Sequence, residues 1–133
     1  RVCSPIIDKG QADCILSFEL LEAARYTEFL KPGGRIIVNS QQINPMPVIA
    51  GMAAYPENLE EKMAALGVNV DALDALSLAE EAGSSKAVNL VLMGRLARHF
   101  DFTEEEWMEA IEHSVPPKFL ELNKKAFELG RSA

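Results

Sequence analysis

Cysteine is scarce in this sequence. The chain has two in 133 residues, Cys3 and Cys14, eleven apart and outside any CxxC pattern. Two thiols cannot supply the four thiolates of an iron–sulfur cluster within one chain. A chain of this length needs no disulfide scaffold, so a reduced, cytoplasmic setting fits. Cys14 lies in the apolar run Ala12 to Phe18, where a thiol acts as a small core hydrophobe. Histidine is as sparse. His99 and His113 are fourteen apart and show no paired-ligand spacing, which argues against a metal site. His99 reads instead as a cation at a helix end. No GxSxG elbow, Walker motif or GxGxxG occurs. The segment Gly83-Ser84-Ser85-Lys86 lacks the first glycine and the spacing of a phosphate loop, and reads as a helix start. No apolar run reaches the about 18 residues of a membrane span. The chain opens at Arg1 without a methionine and without a charged-then-apolar leader. The expectation is that a preceding segment was removed or that the chain starts inside a longer one.

Positive charge is also in deficit. The net charge is −7 and the pI about 4.8. Residues 1–56 carry five basic and five acidic side chains, whereas residues 57–133 carry eight and fifteen. With no basic stripe to neutralise phosphates, nucleic acid and anionic membrane surfaces are excluded as expected partners. What is present is ordinary for a globular domain: 48% hydrophobic and 25% charged residues, enough to bury a core and too apolar for disorder.

Ala12 to Phe18 reads as a buried strand. Glu19 to Leu30 has helical spacing, with Leu20, Ala23, Ala24, Tyr26 and Leu30 on one side. Lys31-Pro32-Gly33-Gly34 is expected to stop that helix, and the β-branched Arg35 to Asn39 to form a second buried strand. This strand–helix–strand order predicts a βαβ unit in a parallel sheet. Within the proline-bearing loop 40–56, Val48 to Ala54 is a candidate short strand. Glu57 to Leu66 predicts a helix, Val68 to Val70 a strand, and Ala72 to Ala82 a helix ended by Gly83. From Ser84 onward the pattern is helical. Ala87 to Phe100 is apolar on nearly all sides, Thr103-Glu104-Glu105-Glu106 is a capping box, and Pro116-Pro117 breaks one helix before the last. The expected fold is α/β and Rossmann-like: a small, mostly parallel sheet with helices, and a helical C-terminal half, all in one domain.

Candidate site residues cluster at the predicted strand ends. Glu19 follows the carboxyl end of the first strand, where α/β sheets bind ligands. Glu19, Glu22 and Arg25 share one helix side, either as carboxylates reaching a ligand or partner, or as a solvated stripe with a Glu22–Arg25 ion pair. Asn39 ends the second strand at the same sheet edge and either meets a ligand or caps the loop backbone. Asn89 interrupts an apolar helical run, where a polar side chain is costly without partners, and Gly94 just beyond suggests close approach of another backbone. Asn123 lies beside the apolar stripe of the last helix, and each of these asparagines is either a structural hydrogen-bonder or a ligand or subunit contact. No nucleophile or catalytic residue is assigned.

Two family resemblances follow. Ser17-Phe18-Glu19 followed by Leu30-Lys31-Pro32-Gly33-Gly34-Arg35-Ile36-Ile37-Val38 resembles the later part of an S-adenosylmethionine-dependent methyltransferase. An ordered series along the whole chain resembles the gamma-type domain of 2-oxoacid:ferredoxin oxidoreductases, closest to indolepyruvate ferredoxin oxidoreductase beta subunits. It comprises Ser4-Pro5-Ile6-Ile7, Gly10, Ala12-Asp13, Phe18-Glu19, Glu22-Ala23, Arg25, Leu30 to Gly34, Val38-Asn39 and Tyr55-Pro56. It continues with Asn89, Leu92-Met93-Gly94, Pro117-Lys118, Asn123, Ala126-Phe127 and Gly130.

That resemblance implies a subunit or domain of an enzyme that oxidatively decarboxylates an aryl pyruvate to an acyl-CoA with ferredoxin reduction. It implies thiamine diphosphate, iron–sulfur clusters and coenzyme A in the assembled enzyme, with none bound by this chain alone. The implied partner is a companion subunit bearing thiamine and clusters, and ferredoxin is reached through the complex. Residues 1–133 are expected to be the gamma-type domain without its first strand and glycine-rich turn. Such a piece would expose a sheet edge, and pairing with another copy is an expectation. Glu19, Glu22, Arg25, Asn39 and Asn89 are expected on the ligand- or partner-facing side. The remaining alternatives are a methyltransferase fragment and a non-catalytic interaction domain docking through the acidic Asp101 to Glu112 surface.

Overall fold

A buried polar segment must place its backbone hydrogen bonds somewhere, and in the first half of this chain three parallel strands take them. The computed structural model describes residues 3–133. Strand β1 (Ala12–Ser17) leads into helix α1 (Leu20–Tyr26), a 3-10 turn at Thr27–Phe29 and strand β2 (Leu30–Asn39). Short helices α2 (Met46–Ile49) and α3 (Leu59–Ala65) precede strand β3 (Asn69–Leu73). The sheet order is β1-β2-β3, both pairings parallel. Ile15 lies opposite Ile36, and Ile36 opposite Val70. Helices α1 and α3 share the core built on Ile36 and Val38, closed by Leu20, Ala23, Leu59 and Met63.

Two expectations for this half are corrected. The helix after β1 ends at Tyr26, before Lys31-Pro32-Gly33-Gly34, and that tetrapeptide lies inside β2. Ala12 pairs with Leu30 and Cys14 with Arg35, so one β1 residue is matched by four on β2, which loop out as a bulge. Pro32 has no N–H to give a ladder, and Gly33 takes φ +77°. Lys31 Nζ pins the bulge to Asp13 on β1 at 2.7 Å. Second, Val48 to Ala54 is not a strand: Met46–Ile49 is one helical turn. Pro45 and Pro47 sit where a helix start has no use for the missing N–H.

The fold divides into two compact units that part between Leu73 and Asp74. The second contains helices α4 (Ala75–Ala82), α5 (Val88–Ala97), α6 (Glu104–Ser114) and α7 (Leu120–Ser132). Asp74 caps α4 by accepting from Ser77 N at 3.0 Å. The capping box expected of α6 is formed: Glu106 N donates to Thr103 Oγ1 at 3.2 Å, and Thr103 N to Glu106 Oε2 at 2.7 Å. Helix α6 ends before Pro116, and a 3-10 turn at Pro117–Phe119 opens α7. Ala97, Ile111 and Phe127 are the buried centre of a cluster that Leu90, Met93 and Trp107 complete. Helices α5 and α7 cross backbone to backbone: Gly94 faces the Phe127 carbonyl and Gly130 the Val91 carbonyl. Among the described residues no helix is long and apolar enough to cross a membrane.

Candidate functional site

The carboxyl ends of β1 and β2 bring together Ser17, Phe18, Glu19 and Asn39. Glu19 is the N-cap of α1, with extended backbone, and is only 6% exposed. Its Oε2 accepts from Glu22 N at 3.0 Å, and its Oε1 accepts from Ile43 N at 3.1 Å. Oε1 also accepts from the Tyr55 hydroxyl, whose oxygen in turn accepts from Leu21 N at 3.2 Å. One carboxylate thus ties the helix start to both ends of the loop that contains α2.

Neighbouring groups hold the same junction. Ser17 Oγ donates to the Glu19 carbonyl at 2.9 Å. Asn39, 2% exposed, donates from Nδ2 to the Phe18 carbonyl and to Gln41 Oε1, each at 3.3 Å. Leu20 N donates to the Gln41 carbonyl at 3.4 Å. Asn39 therefore ties the end of β2 to the backbone of the β1–α1 junction and to a side chain of the following loop. Glu22 and Arg25 form an exposed ion pair on α1, worth little in water.

Burial pushes the Glu19 carboxyl up, but the Tyr55 hydroxyl and the N–H groups of Glu22, Ile43 and Leu21 outweigh it and hold the group below its usual value. Burial, and the adjacent Glu19 carboxylate, push the Tyr55 hydroxyl up to about 12. A raised phenol stabilises the fold fully below its ordinary pKa of 10.0, and the contribution is lost as pH rises through about 12. Phenolate absorbance should therefore show a component near pH 12 that Tyr55→Phe deletes. Retention of that component in the variant would assign it to another group.

A groove of about 570 Å³ runs beside β1, lined by Pro5, Ile7, Cys14, Leu16, Phe18 and Tyr26, with Glu19 and Glu22 at one end. Among the described residues no strand pairs with the outer edge of β1. The chain's two thiols are unbonded, and burial pushes Cys14 up, opposed by Arg35 and reinforced by Asp13. At the end of the sheet where Glu19 lies, the loop after β2 presents apolar side chains to solvent: Ile43, Met46 (71% exposed), Ile49 and Met52 (79%).

Asn89 is placed differently from the expectation that the apolar run buries it. It lies on an exposed face of α5, because Val91, Leu92, Gly94 and Ala97 supply the buried side. It rims a small recess of the helical unit with Met93, Trp107 and Val115. Asn123 donates to the Phe119 carbonyl at 2.8 Å within its own helix start. The residue that spacing could not reveal is Tyr55, 36 positions from its partner Glu19. Its signals were an aromatic ring in a loop of small and aliphatic residues and the place of Tyr55-Pro56 in the series that carries the family resemblance.

Comparison with known proteins adds the family context. The family model described as pyruvate ferredoxin/flavodoxin oxidoreductase matches residues 1–133. The chain is 42% identical over 137 residues to the indolepyruvate oxidoreductase subunit IorB of Thermococcus kodakarensis, covering 99% of this chain and 68% of that protein. It is 41% identical over 138 residues to the subunit of the same name from Pyrococcus horikoshii, with the same coverage. Among solved structures, the gamma subunit of a keto/oxoacid ferredoxin oxidoreductase from Geobacter sulfurreducens superposes with a TM-score of 0.66 at 25% identity. That match covers 96% of this chain and 66% of that subunit. A 2-oxoglutarate:ferredoxin oxidoreductase from Magnetococcus marinus shares the fold, with a TM-score of 0.63 at 19% identity over 97% of this chain and 21% of that one. The chain thus spans about two thirds of the length of the two IorB subunits and of the Geobacter subunit.

Proposed function

The chain belongs to the pyruvate ferredoxin/flavodoxin oxidoreductase family, and on that footing we propose that it is the gamma-type portion of an indolepyruvate:ferredoxin oxidoreductase. The assembled enzyme would oxidatively decarboxylate an aryl pyruvate to its acyl-CoA and carbon dioxide, passing two electrons to ferredoxin. The observation that carries this reading is the match along 99% of the chain to subunits bearing that name. Thiamine diphosphate would supply the electron sink for decarboxylation, iron–sulfur clusters the electron path, and coenzyme A the acyl acceptor. The donor set of this chain does not suit a cluster: there are two thiols, and burial pushes the pKa of one of them up. The clusters are therefore assigned to a companion subunit, the thiamine is assigned there on the family resemblance alone, and a reduced, cytoplasmic setting belongs to the same reading.

This chain's own contribution is positional. Glu19 and Asn39 are positioning residues: they fix the junction from which Phe18 and the apolar loop Ile43 to Met52 project. That loop, with Glu22 and Arg25 beside its tether on α1, is assigned to the surface facing the companion subunit or its ligand. Asn89 is assigned to a partner-facing surface of the helical unit. Apolar side chains this exposed are what a permanent subunit contact would cover.

The test is reconstitution. The protein carrying this chain should show no indolepyruvate-dependent ferredoxin reduction alone, and should gain it when the thiamine- and cluster-bearing companion and coenzyme A are added. A complex that forms yet leaves ferredoxin oxidised would overturn the reading. Saturable S-adenosylmethionine binding by calorimetry would revive the methyltransferase alternative, which rests on Ser17-Phe18-Glu19 and the Leu30 to Val38 tract.

A further inference from the structure

We propose that the groove at the start of α6 seats a lysine or arginine side chain presented by a segment of a partner protein. The groove encloses about 440 Å³ and is lined by Phe102, Glu106, Trp107, Glu109, Ala110 and His113. Its floor is aromatic. Phe102 meets Trp107 edge to face, with centroids 5.5 Å apart, and Phe100 stacks on Phe102 at 6.1 Å. Trp107 is anchored from behind by Phe127, fully buried, at 5.6 Å. Trp107 is therefore continuous with the core, while Phe100 and Phe102 reach it from the connection between α5 and α6. Phe100 and Phe102 are nevertheless 44% and 56% exposed. Adjacent aromatic rings left in water mark a surface that something covers.

The charge around the floor says what kind of occupant fits. Helix α6 carries Glu104, Glu105, Glu106, Glu109 and Glu112, with no lysine or arginine. Glu112 is already paired with Lys124 at 2.6 Å, and Glu104 lies 3.9 Å from Arg131. The two carboxylates that flank the floor, Glu106 and Glu109, instead bond the Thr103 backbone N–H and approach His113 Nε2 at 3.7 Å. Neither is neutralised by a lysine or arginine of the described residues. A cation is drawn to aromatic faces, to indole above all, and to paired carboxylates. A lysine or arginine meets both demands, because its methylene stem covers the apolar floor while its head reaches the acidic rim. A bare metal ion would need oxygens that converge, and no such grouping occurs among the described residues.

Trp107 is the chain's single tryptophan, so its emission reads the groove directly. The probe is a capped Gly-Leu-Arg-Arg-Leu-Gly peptide, with a citrulline-for-arginine peptide as the uncharged control. The arginine peptide should shift Trp107 emission saturably, bind at least tenfold more tightly than the citrulline peptide, and weaken as salt rises. The double variant E106Q/E109Q should lose at least tenfold in affinity. Glutamine keeps the capping box, so its far-UV dichroism and Tm should stay close to wild type. Phe102→Leu keeps the bulk and removes the ring, and should weaken binding without unfolding. Equal response to both peptides, unchanged affinity in the double variant, or no saturable response would each overturn the proposal. Binding of free arginine as tight as that of the peptide would also overturn it, because a small cation and not a protein segment would then be the occupant.

Discussion

Gly94→Ala should unfold the helical unit at a markedly lower temperature, although alanine is the better helix former. By propensity alone the change would stabilise an exposed helix interior by about 1 kcal/mol. Here a Cβ on Gly94 would lie 1.9 Å from the Phe127 carbonyl oxygen and 2.9 Å from Arg131 N. Both neighbours are backbone of α7, so no side chain can rotate away. The same closeness recurs in reverse, because a Cβ on Gly130 would lie 1.9 Å from the Val91 carbonyl oxygen. The helices must separate, and the contacts around Val91, Leu92 and Phe127 open with them. Overpacking of this kind costs about 3 kcal/mol or more, which lowers Tm by roughly 10 °C in a chain of this size. Gly130→Ala should behave alike. Thermal melts followed at 222 nm decide the sign, and a Tm at or above wild type would show that α5 and α7 are not in backbone contact.

The second large effect is expected at Glu19. Glu19→Ala removes a helix cap, worth about 1 kcal/mol, and leaves the Ile43 N–H and the Tyr55 hydroxyl without their acceptor. Hydrogen bonds to a charged group are worth about 1.5–3 kcal/mol each, so a total loss of about 4 kcal/mol is expected for this buried carboxylate. The loop 40–56 should then exchange its amide hydrogens faster than the strands that flank it. Amide exchange resolved by peptide is the measurement, and protection in that loop equal to wild type would contradict the tether. Acid should expose the same carboxylate. A group held below its usual value stabilises fully above its unfolded pKa, and that stability is lost as pH falls through the folded pKa. The stability difference between wild type and Glu19→Gln should therefore be present at neutral pH and shrink in acid.

Much of this architecture is carried by local pattern. The apolar run at Ala12, the β-branched Ile36-Ile37-Val38 and the helical spacing between them specify a βαβ unit, because each element has one period that buries its apolar side. The capping box at Thr103 and the break at Pro116-Pro117 are local chemistry, and both form as the pattern predicts. Gly94 also announces itself: a glycine amid leucine and valine in a helix has a cost that only a close neighbour explains. The Lys31 to Gly34 tract shows the limit of such reasoning. Proline and two glycines forbid a continuing helix, but stopping a helix and bulging out of a strand demand the same residues. The pairing of Ala12 with Leu30 decides between them.

The candidate site divides in the same way. That Glu19 and Asn39 sit at strand ends follows from strand length and the alternation of side chains. That Glu19 is spent internally does not, because its partners are an N–H at Ile43 and a hydroxyl at Tyr55, 24 and 36 residues away. Asn89 misled for a related reason: a run of apolar residues looks buried all round, yet a helix of ten residues can turn one polar position outward. The sequence by itself determined most of the elements, the parallel βαβ unit and the acidic character of the helical rear, because these depend on short periods and on composition. Only the tertiary structure decided that the Glu19 carboxylate locks a loop, that α5 and α7 touch at two glycines, and that Phe102 and Trp107 share a groove with Glu106 and Glu109. Each of these is a meeting of groups that chain topology brings together and sequence spacing leaves unspecified.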